Sequence, residues 1–231
     1  MWRCAFWLLL LYAFAPGHLR ASEISCLPRY SLSQDQITPT SMPEELKRIL
    51  RHHQGNGLFA KFTEEKKISL LQQPLRSSGE LIFLPHKGLY RKLITPFQQE
   101  WLMTMSAVQQ RDREGKIETI ALVHLPLAKA LVEGFLTVFS GSWEAIHAQF
   151  HVYFASDMQQ WKLGLTPKHT MLAKIISCMI LEGQQEQVQS LTVHEADGDI
   201  TRDRFIESQV LPPEQWGDYL WHFEWGIGSR P

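Results

Sequence analysis

The sequence has no excess of charge of either sign. Its 231 residues include 23 Lys and Arg against 24 Asp and Glu, which gives a formal net charge of −1. A protein that binds the phosphate backbone of nucleic acids needs a basic surface field, so we expect no nucleic-acid partner. Because 44% of the residues are hydrophobic and only 20% are charged, the composition excludes a disordered chain and indicates a globular one.

Long apolar runs are absent beyond the N-terminus. A short basic start at Met1–Arg3 precedes an apolar run at Cys4–Ala15, and Ala21 is a small residue before a potential cleavage point. The run is shorter than the roughly 20 residues that span a membrane, and the pattern is typical of a secretory signal peptide. We therefore expect residues 1–21 to direct export and to be removed, with an uncleaved anchor as the alternative.

Cysteine is scarce, and removal of the signal peptide leaves only Cys26 and Cys178. In an oxidising compartment these two residues can form one disulfide. Alternatively, Cys178 is a small buried hydrophobic residue within the apolar run Ile175–Ile180. The spacing of the two cysteines does not decide between these possibilities.

Known catalytic and metal-binding patterns are also missing. His147 and His151 are four residues apart, but Ala148 stands where a zinc protease has its glutamate. The Asp197–Asp199 segment resembles the start of a calcium loop, yet the required Gly and Glu do not follow at the correct positions, which favours a hairpin turn. No Gly-x-Ser-x-Gly motif is present. We expect no enzyme activity, no cofactor and no metal.

What the sequence does contain is a long series of apolar residues at every second position, which predicts β-strands. They recur at Leu58/Ala60/Phe62, Leu81/Phe83, Leu89/Leu93, Trp101/Met103, Ile117/Thr119/Ala121, Val152/Phe154, Trp161/Leu163/Leu165, Ile176/Cys178/Ile180 and Leu191/Val193. Apolar spacing of three and four residues instead predicts helices after Pro43, over 124–140 and over 142–149.

Many strands with few helices indicate a mainly β (α+β) fold. A long antiparallel sheet must curl to cover its apolar face, and two or three helices are enough to lid an unclosed half-barrel. We expect an N-terminal arm over residues 22–42, this domain over residues 43–212 and an aromatic C-terminal tail over residues 213–231. Alternating Tyr219, Trp221, Phe223 and Trp225 predict that the tail adds a strand or forms a docking surface.

Arg91 interrupts one apolar strand face. It alternates with Leu89 and Leu93, so either its guanidinium is buried and needs partners, or a local irregularity turns it toward solvent.

Several segments resemble the family of periplasmic outer-membrane lipoprotein carriers (LolA), in particular its LolA-related branch. The resemblance spans roughly residues 43–210 and is carried by residues 57–64, 78–83, 89–91, 95–96, 161–168 and 195–199, which read GLFAKFTE, SGELIF, LYR, TP, WKLGLTPK and EADGD. It implies a periplasmic, unclosed antiparallel barrel whose apolar concave face is covered by helices.

The resemblance also implies the parts of a binding site. In the family, a basic residue on the inner sheet face controls the opening of the helical lid, and Arg91 occupies the matching place. Strand parity then gives the residues that we expect to line the cavity: Leu58, Ala60, Phe62, Leu81, Phe83, Leu89, Leu93, Trp101, Met103, Trp161, Leu163 and Leu165, with Leu127, Leu131 and Phe135 from the lid.

The implied function is transport of an acylated lipoprotein or another lipid, such as a glycolipid or a polyene lipid. The protein would act as a monomer between an inner-membrane exporter and an outer-membrane acceptor. Residues 107–119 lack the Asp-Gly turn of typical members, and the aromatic tail is extra, which leaves the cargo open. The alternative is a structural or adaptor protein whose barrel is filled by its own side chains and whose tail docks a partner.

Overall fold

The computed structural model describes Leu32 and residues 36–157 and 160–225. Its helices are α1 (Glu44–His53), α2 (Pro126–Ser140), α3 (Trp143–Gln149) and α4 (Thr170–Ala173), with 3-10 helices at Leu122–His124 and Pro213–Phe223. Its strands are β1 (Gly57–Lys67), β2 (Leu75–Leu84), β3 (Gly88–Thr95), β4 (Gln99–Met103), β5 (Ala107–Arg111), β6 (Ile117–Ala121), β7 (Phe150–Ser156), β8 (Trp161–Pro167), β9 (Ile176–Gln184), β10 (Gln187–Glu195) and β11 (Ile200–Leu211). Within these described ranges, no helix is long and apolar enough to cross a membrane.

The strands form one antiparallel sheet in the order β6-β5-β4-β3-β2-β1-β11-β10-β9-β8-β7. Two meanders, β1–β6 and β7–β11, are joined in the middle by pairing of the first and last strands, from Gly57 opposite Leu211 to Lys67 opposite Ile200. The sheet is not closed into a barrel, so the predicted mainly β, unclosed architecture is confirmed.

The chain passes from one outer edge of the sheet to the other through α2 and α3, because these helices connect β6 to β7. Pro126 starts α2 with a preset helical φ, and Gly141 ends it at φ 63°, a left-handed conformation that favours glycine. Buried residues on α2 pack against both halves of the sheet. The connection between the meanders is therefore also the cover of the concave face.

The aromatic tail differs from the prediction of an added strand: Pro213–Phe223 is a 3-10 helix. Pro212 and Pro213 cannot donate ladder hydrogen bonds, and a 3-10 helix places every third residue on one side. Its apolar side chains, namely Trp216, Tyr219, Leu220 and Phe223, pack with Trp225 on the convex face against Ile82, Leu84, Tyr90 and Leu102. Most apolar side chains of the tail are thus packed against the protein's own sheet.

The N-terminal arm is described only in part. The Ile37 backbone N–H donates to the Val152 carbonyl at 2.7 Å, and Leu32 packs with Tyr153 and Cys178. Cys178 is fully buried and disulfide-bonded. Its predicted partner, Cys26, and the predicted signal peptide, residues 1–21, lie outside the described residues, so the pairing stays a prediction.

Candidate functional site

The concave face is apolar over most of its area, and α2 lies against it. One group of buried side chains joins α2 to β1–β5, and a second joins it to α1 and β7–β10. Phe139 of α2 packs against both groups, and its ring stacks on Phe83 of β2 with 6.0 Å between ring centroids. The helix therefore fills the centre of the half-barrel with its own side chains.

A cavity of about 60 Å³ remains beneath α2. Its wall is formed on the helix side by Leu131, Val132, Phe135 and Phe139. An apolar cavity needs roughly 150 Å³ to admit benzene, so this void holds a small group but not an acyl chain. A second void of about 50 Å³ lies between α1 and β8, next to Trp161, Leu163 and Leu165. In this conformation the interior is mostly filled.

The predicted lining residues divide into four sets. Leu81, Leu89, Met103, Leu131 and Phe135 line the first cavity, and Leu58, Trp161, Leu163 and Leu165 line the second. Ala60, Phe62, Phe83, Leu93 and Trp101 are buried but are not part of either cavity wall. Leu127 is half-buried and also lies off both walls, because the helix turns Ala128 and Val132 toward β1–β5 instead.

Several wall residues were not predicted. Val108 lies on β5, a strand in which it is one of few apolar residues. The alternation at Leu191 and Val193 predicts a strand but does not by itself place these residues at the site. The polar members Glu195, Thr201 and Asp203 follow the same strand parity as their apolar neighbours. Alternation of hydrophobic residues does not identify them, because their own side chains are polar.

Arg91 is buried, which decides between the two interpretations of its strand position. Its guanidinium donates to both carboxylate oxygens of Asp203 at 3.0 Å and to Glu64 Oε2 at 2.6 Å. It also lies 3.7 Å above the ring of Phe62. Glu64 and Asp203 are directly opposite each other on β1 and β11, where two like charges would repel, so Arg91 supplies the charge that holds them together.

Lys66 and Glu195 form a second buried ion pair on the same face. Lys66 Nζ lies 3.0 Å from Glu195 Oε1, and Thr201 Oγ1 donates to the same oxygen at 3.1 Å. Only 4% and 3% of the two charged side chains are exposed. We call the six residues Glu64, Lys66, Arg91, Glu195, Thr201 and Asp203 the polar floor of the half-barrel.

Burial dominates the electrostatics of the polar floor. It raises the pKa of Glu195, although Lys66 and Thr201 act in the opposite direction. Burial likewise raises the pKa of Asp203 despite the attraction of Arg91. Burial opposes the charged form of Arg91, but the carboxylates of Asp203 and Glu64 outweigh it and raise the pKa of the guanidinium.

One acidic cluster has oxygens close enough for a metal ion. Carboxylate oxygens of Glu195, Asp197 and Asp199 lie within 4.8 Å of one another. Asp197 accepts from the Asp199 N–H at 3.1 Å, and Asp199 accepts from the Ser69 N–H at 2.8 Å. The first bond lies within the hairpin turn between β10 and β11, and the second joins that turn to Ser69, which follows β1. Both Asp side chains thus accept backbone hydrogen bonds, and Lys66 already occupies one side of Glu195, so we assign no metal to the cluster.

A larger groove of about 580 Å³ is lined by polar and charged side chains, including Lys67, Arg76, Arg202 and Arg204. Acyl chains gain free energy by leaving water for apolar surroundings. The groove therefore does not replace the apolar interior as the candidate lipid site.

These features define a class: an open antiparallel half-barrel whose apolar concave face is covered by a helix and carries a buried polar floor. Residues 44–206 match the family described as "Outer membrane lipoprotein carrier protein LolA-like". The chain belongs to this family, as its motifs predicted. Proteins of this family are periplasmic carriers rather than enzymes.

The solved structures to which this chain is similar are distant in sequence. A LolA superfamily protein from Nitrosomonas europaea has 9% identity and a TM-score of 0.38, over 77% of this chain and 100% of its own. A DUF1329 family protein from Desulfovibrio piger has 8% identity and a TM-score of 0.39, over 72% of this chain and 90% of its own. In a MucA/MucB complex from Pseudomonas aeruginosa, the matched chain shares 13% identity at a TM-score of 0.36, over 74% of this chain and 57% of its own. No curated protein sequence matches the chain.

Proposed function

We propose that this protein shelters the acyl chains of a lipoprotein or another lipid in its half-barrel and carries them through the periplasm toward the outer membrane. An inner-membrane exporter would supply the cargo, and an outer-membrane acceptor would take it. The observation that carries the proposal is the apolar interior beneath α2, in a chain of the LolA-like family. Each buried CH2 group of a ligand gains ~0.8 kcal/mol, so such an interior suits acyl chains.

The small cavity imposes a condition on this function. A void of about 60 Å³ cannot hold an acyl chain, so α2 must move away from the sheet when cargo enters. The structure then represents the empty carrier, in which Leu131, Phe135 and Phe139 occupy the space that cargo would take. Movement of a covering helix is a common way to open and close a site.

We propose that Arg91 controls this opening by fixing the curvature of the sheet. It lies on β3 but binds Glu64 on β1 and Asp203 on β11, so one side chain ties strands that are two and three positions away in the sheet. It also lines the cavity beneath α2. A change in these ion pairs would alter the width of the half-barrel. It would therefore also change the surface against which α2 packs.

Lipid extraction and native mass spectrometry of protein purified from the periplasm test the carrier function. Co-purified acyl material is the expected result. A pyrene-labelled fatty acid then tests the site. Met103→Gln should weaken its binding, because Met103 lines the cavity on the sheet side and stays in place when α2 moves, whereas Met105→Gln should not, because Met105 is exposed. Equal loss in both variants would contradict the assignment of the site.

The filled interior favours one second candidate, an adaptor protein that carries no cargo. An adaptor would contain no acyl material after purification, and it would bind the pyrene-labelled fatty acid no better in the wild type than in Met103→Gln.

A further inference from the structure

The polar floor carries an unbalanced charge. It contains two cations, Lys66 and Arg91, against three carboxylates, Glu64, Asp203 and Glu195. Arg91 pairs with both Glu64 and Asp203, and Lys66 pairs with Glu195. Buried charges are costly unless they are paired and hydrogen-bonded, so with all three carboxylates ionised this region lacks one positive charge, which either a proton or a cationic ligand can supply.

The unmet requirement has a definite position. Glu195 Oε1 receives hydrogen bonds from Lys66 and Thr201, but Oε2 is buried and has no hydrogen-bond partner among the described residues. Glu195 also lines the apolar cavity beneath α2, together with Thr201 and Asp203. A buried unsatisfied acceptor typically costs about 1–3 kcal/mol, more for a charged group, and it is expected where a ligand completes the site.

We propose that the polar floor is a recognition site for a primary ammonium group at the head of an acylated ligand, with Glu195 Oε2 as the hydrogen-bond acceptor. This inference rests on the proposed function, because the acyl chain must occupy the apolar part of the same cavity. The ammonium group would supply a positive charge to the polar floor. It would also donate an N–H hydrogen bond to Glu195 Oε2.

The size of the cavity agrees with this division of the ligand. A volume of about 60 Å³ is too small for an acyl chain but is sufficient for a group of a few heavy atoms. The head group therefore fits beside Glu195 in the present conformation, whereas the chain requires displacement of α2. A head group that enters first would place the acyl chain directly under the helix.

Calorimetric titration of the full exported chain, below the micelle concentration of each ligand, compares dodecylamine with dodecan-1-ol and with dodecyltrimethylammonium. The first comparison tests charge. The second tests the N–H donor, because both ligands are cationic but only dodecylamine donates a hydrogen bond. We expect dodecylamine to bind at least about 10-fold more tightly than either ligand, as charge-assisted hydrogen bonds are worth a factor of this order.

Variants locate the effect. Glu195→Gln keeps the shape of the side chain but removes its charge, and it should reduce the preference for dodecylamine over dodecan-1-ol to less than about threefold. Glu207→Gln is the matched control, because Glu207 lies exposed on β11 and pairs with Lys61 at 2.8 Å. It should leave the preference unchanged. The comparison among ligands in the wild type needs no variant and therefore does not depend on the folding of Glu195→Gln.

Three results would overturn the inference in distinguishable ways. Equal affinity for all three ligands would remove the ammonium site and leave the carrier function intact. If dodecylamine and dodecyltrimethylammonium bind equally well and both bind more tightly than dodecan-1-ol, the preference is a general effect of charge and not a hydrogen bond to Glu195. Failure of all three ligands to bind would refute the proposed function together with the inference.

Discussion

The strongest prediction concerns the replacement Arg91→Met, which removes the charge from the centre of the polar floor. Met fills a similar length but leaves the carboxylates of Glu64 and Asp203 facing each other across β1 and β11. Breaking a buried ion pair typically costs 3–5 kcal/mol, because the remaining charge stays desolvated. Here one cation serves two carboxylates, so we expect at least about 3 kcal/mol of lost stability.

Thermal unfolding followed by circular dichroism measures this loss. For a domain of 150–250 residues, each kcal/mol shifts the melting temperature by roughly 2–4 °C, so the expected decrease is about 6–20 °C. Arg76→Met is the matched control: Arg76 pairs with Glu65 at 3.4 Å and is 77% exposed. A surface pair contributes ~0–1 kcal/mol, and this variant should unfold within a few degrees of the wild type.

A compensating variant separates electrostatics from packing. Combining Arg91→Met with Glu64→Gln and Asp203→Asn removes all three charges while keeping most of the volume, and it should recover most of the lost stability. A decrease of less than about 1 kcal/mol in Arg91→Met would refute the argument that the guanidinium holds the two carboxylates in a desolvated site. Failure of the triple variant to recover would assign the loss to packing of Arg91 on Phe62 instead.

Two further predictions concern Glu195. Lys66→Met should lower the free energy of unfolding, measured by denaturant titration, by about 3–5 kcal/mol, because it leaves Glu195 buried without its cation. The double variant Lys66→Met/Glu195→Leu should return to within about 1–2 kcal/mol of the wild type. Burial raises the pKa of Glu195 from its ordinary value of 4.5. Above pH 4.5 the folded state therefore binds more protons than the unfolded state. The stability of the folded state consequently falls as the pH rises from 4.5 through the raised pKa of Glu195. The wild type should therefore gain stability relative to Glu195→Gln between pH 7 and pH 5, and a constant difference would contradict the raised pKa.

Alternation of apolar residues was sufficient to predict much of the sheet. On the described strands, a side chain faces the concave or the convex side according to its parity, so Leu58, Phe62, Leu81 and Phe83 could be assigned to the interior from sequence alone. The short strand β5 was harder to find, because Val108 is its single buried apolar residue. The period of two in the aromatic tail predicts a strand, but Pro212 and Pro213 cannot donate ladder hydrogen bonds, and the segment forms a 3-10 helix instead.

The partners of Arg91 could not be predicted from local pattern. Asp203 is 112 residues away along the chain, and the two residues meet only because the first and last strands pair in the middle of the sheet. Local sequence carries no information on that pairing, since it depends on how two meanders join. The filled state of the interior was equally inaccessible, because it depends on how closely α2 packs into the curve of the sheet.

If α2 occupies the site of the cargo, weakening its contact with the sheet should strengthen binding. Closure lowers the apparent affinity for cargo in proportion to the fraction of molecules that are open. Phe139→Leu removes the ring stacked on Phe83, an interaction worth about 0.5–1.5 kcal/mol beyond burial. Apparent affinity for a pyrene-labelled fatty acid, measured by fluorescence titration, should then rise by about two- to tenfold. A fall in affinity would place Phe139 in the wall of the occupied site and would refute the idea that the helix competes with the ligand.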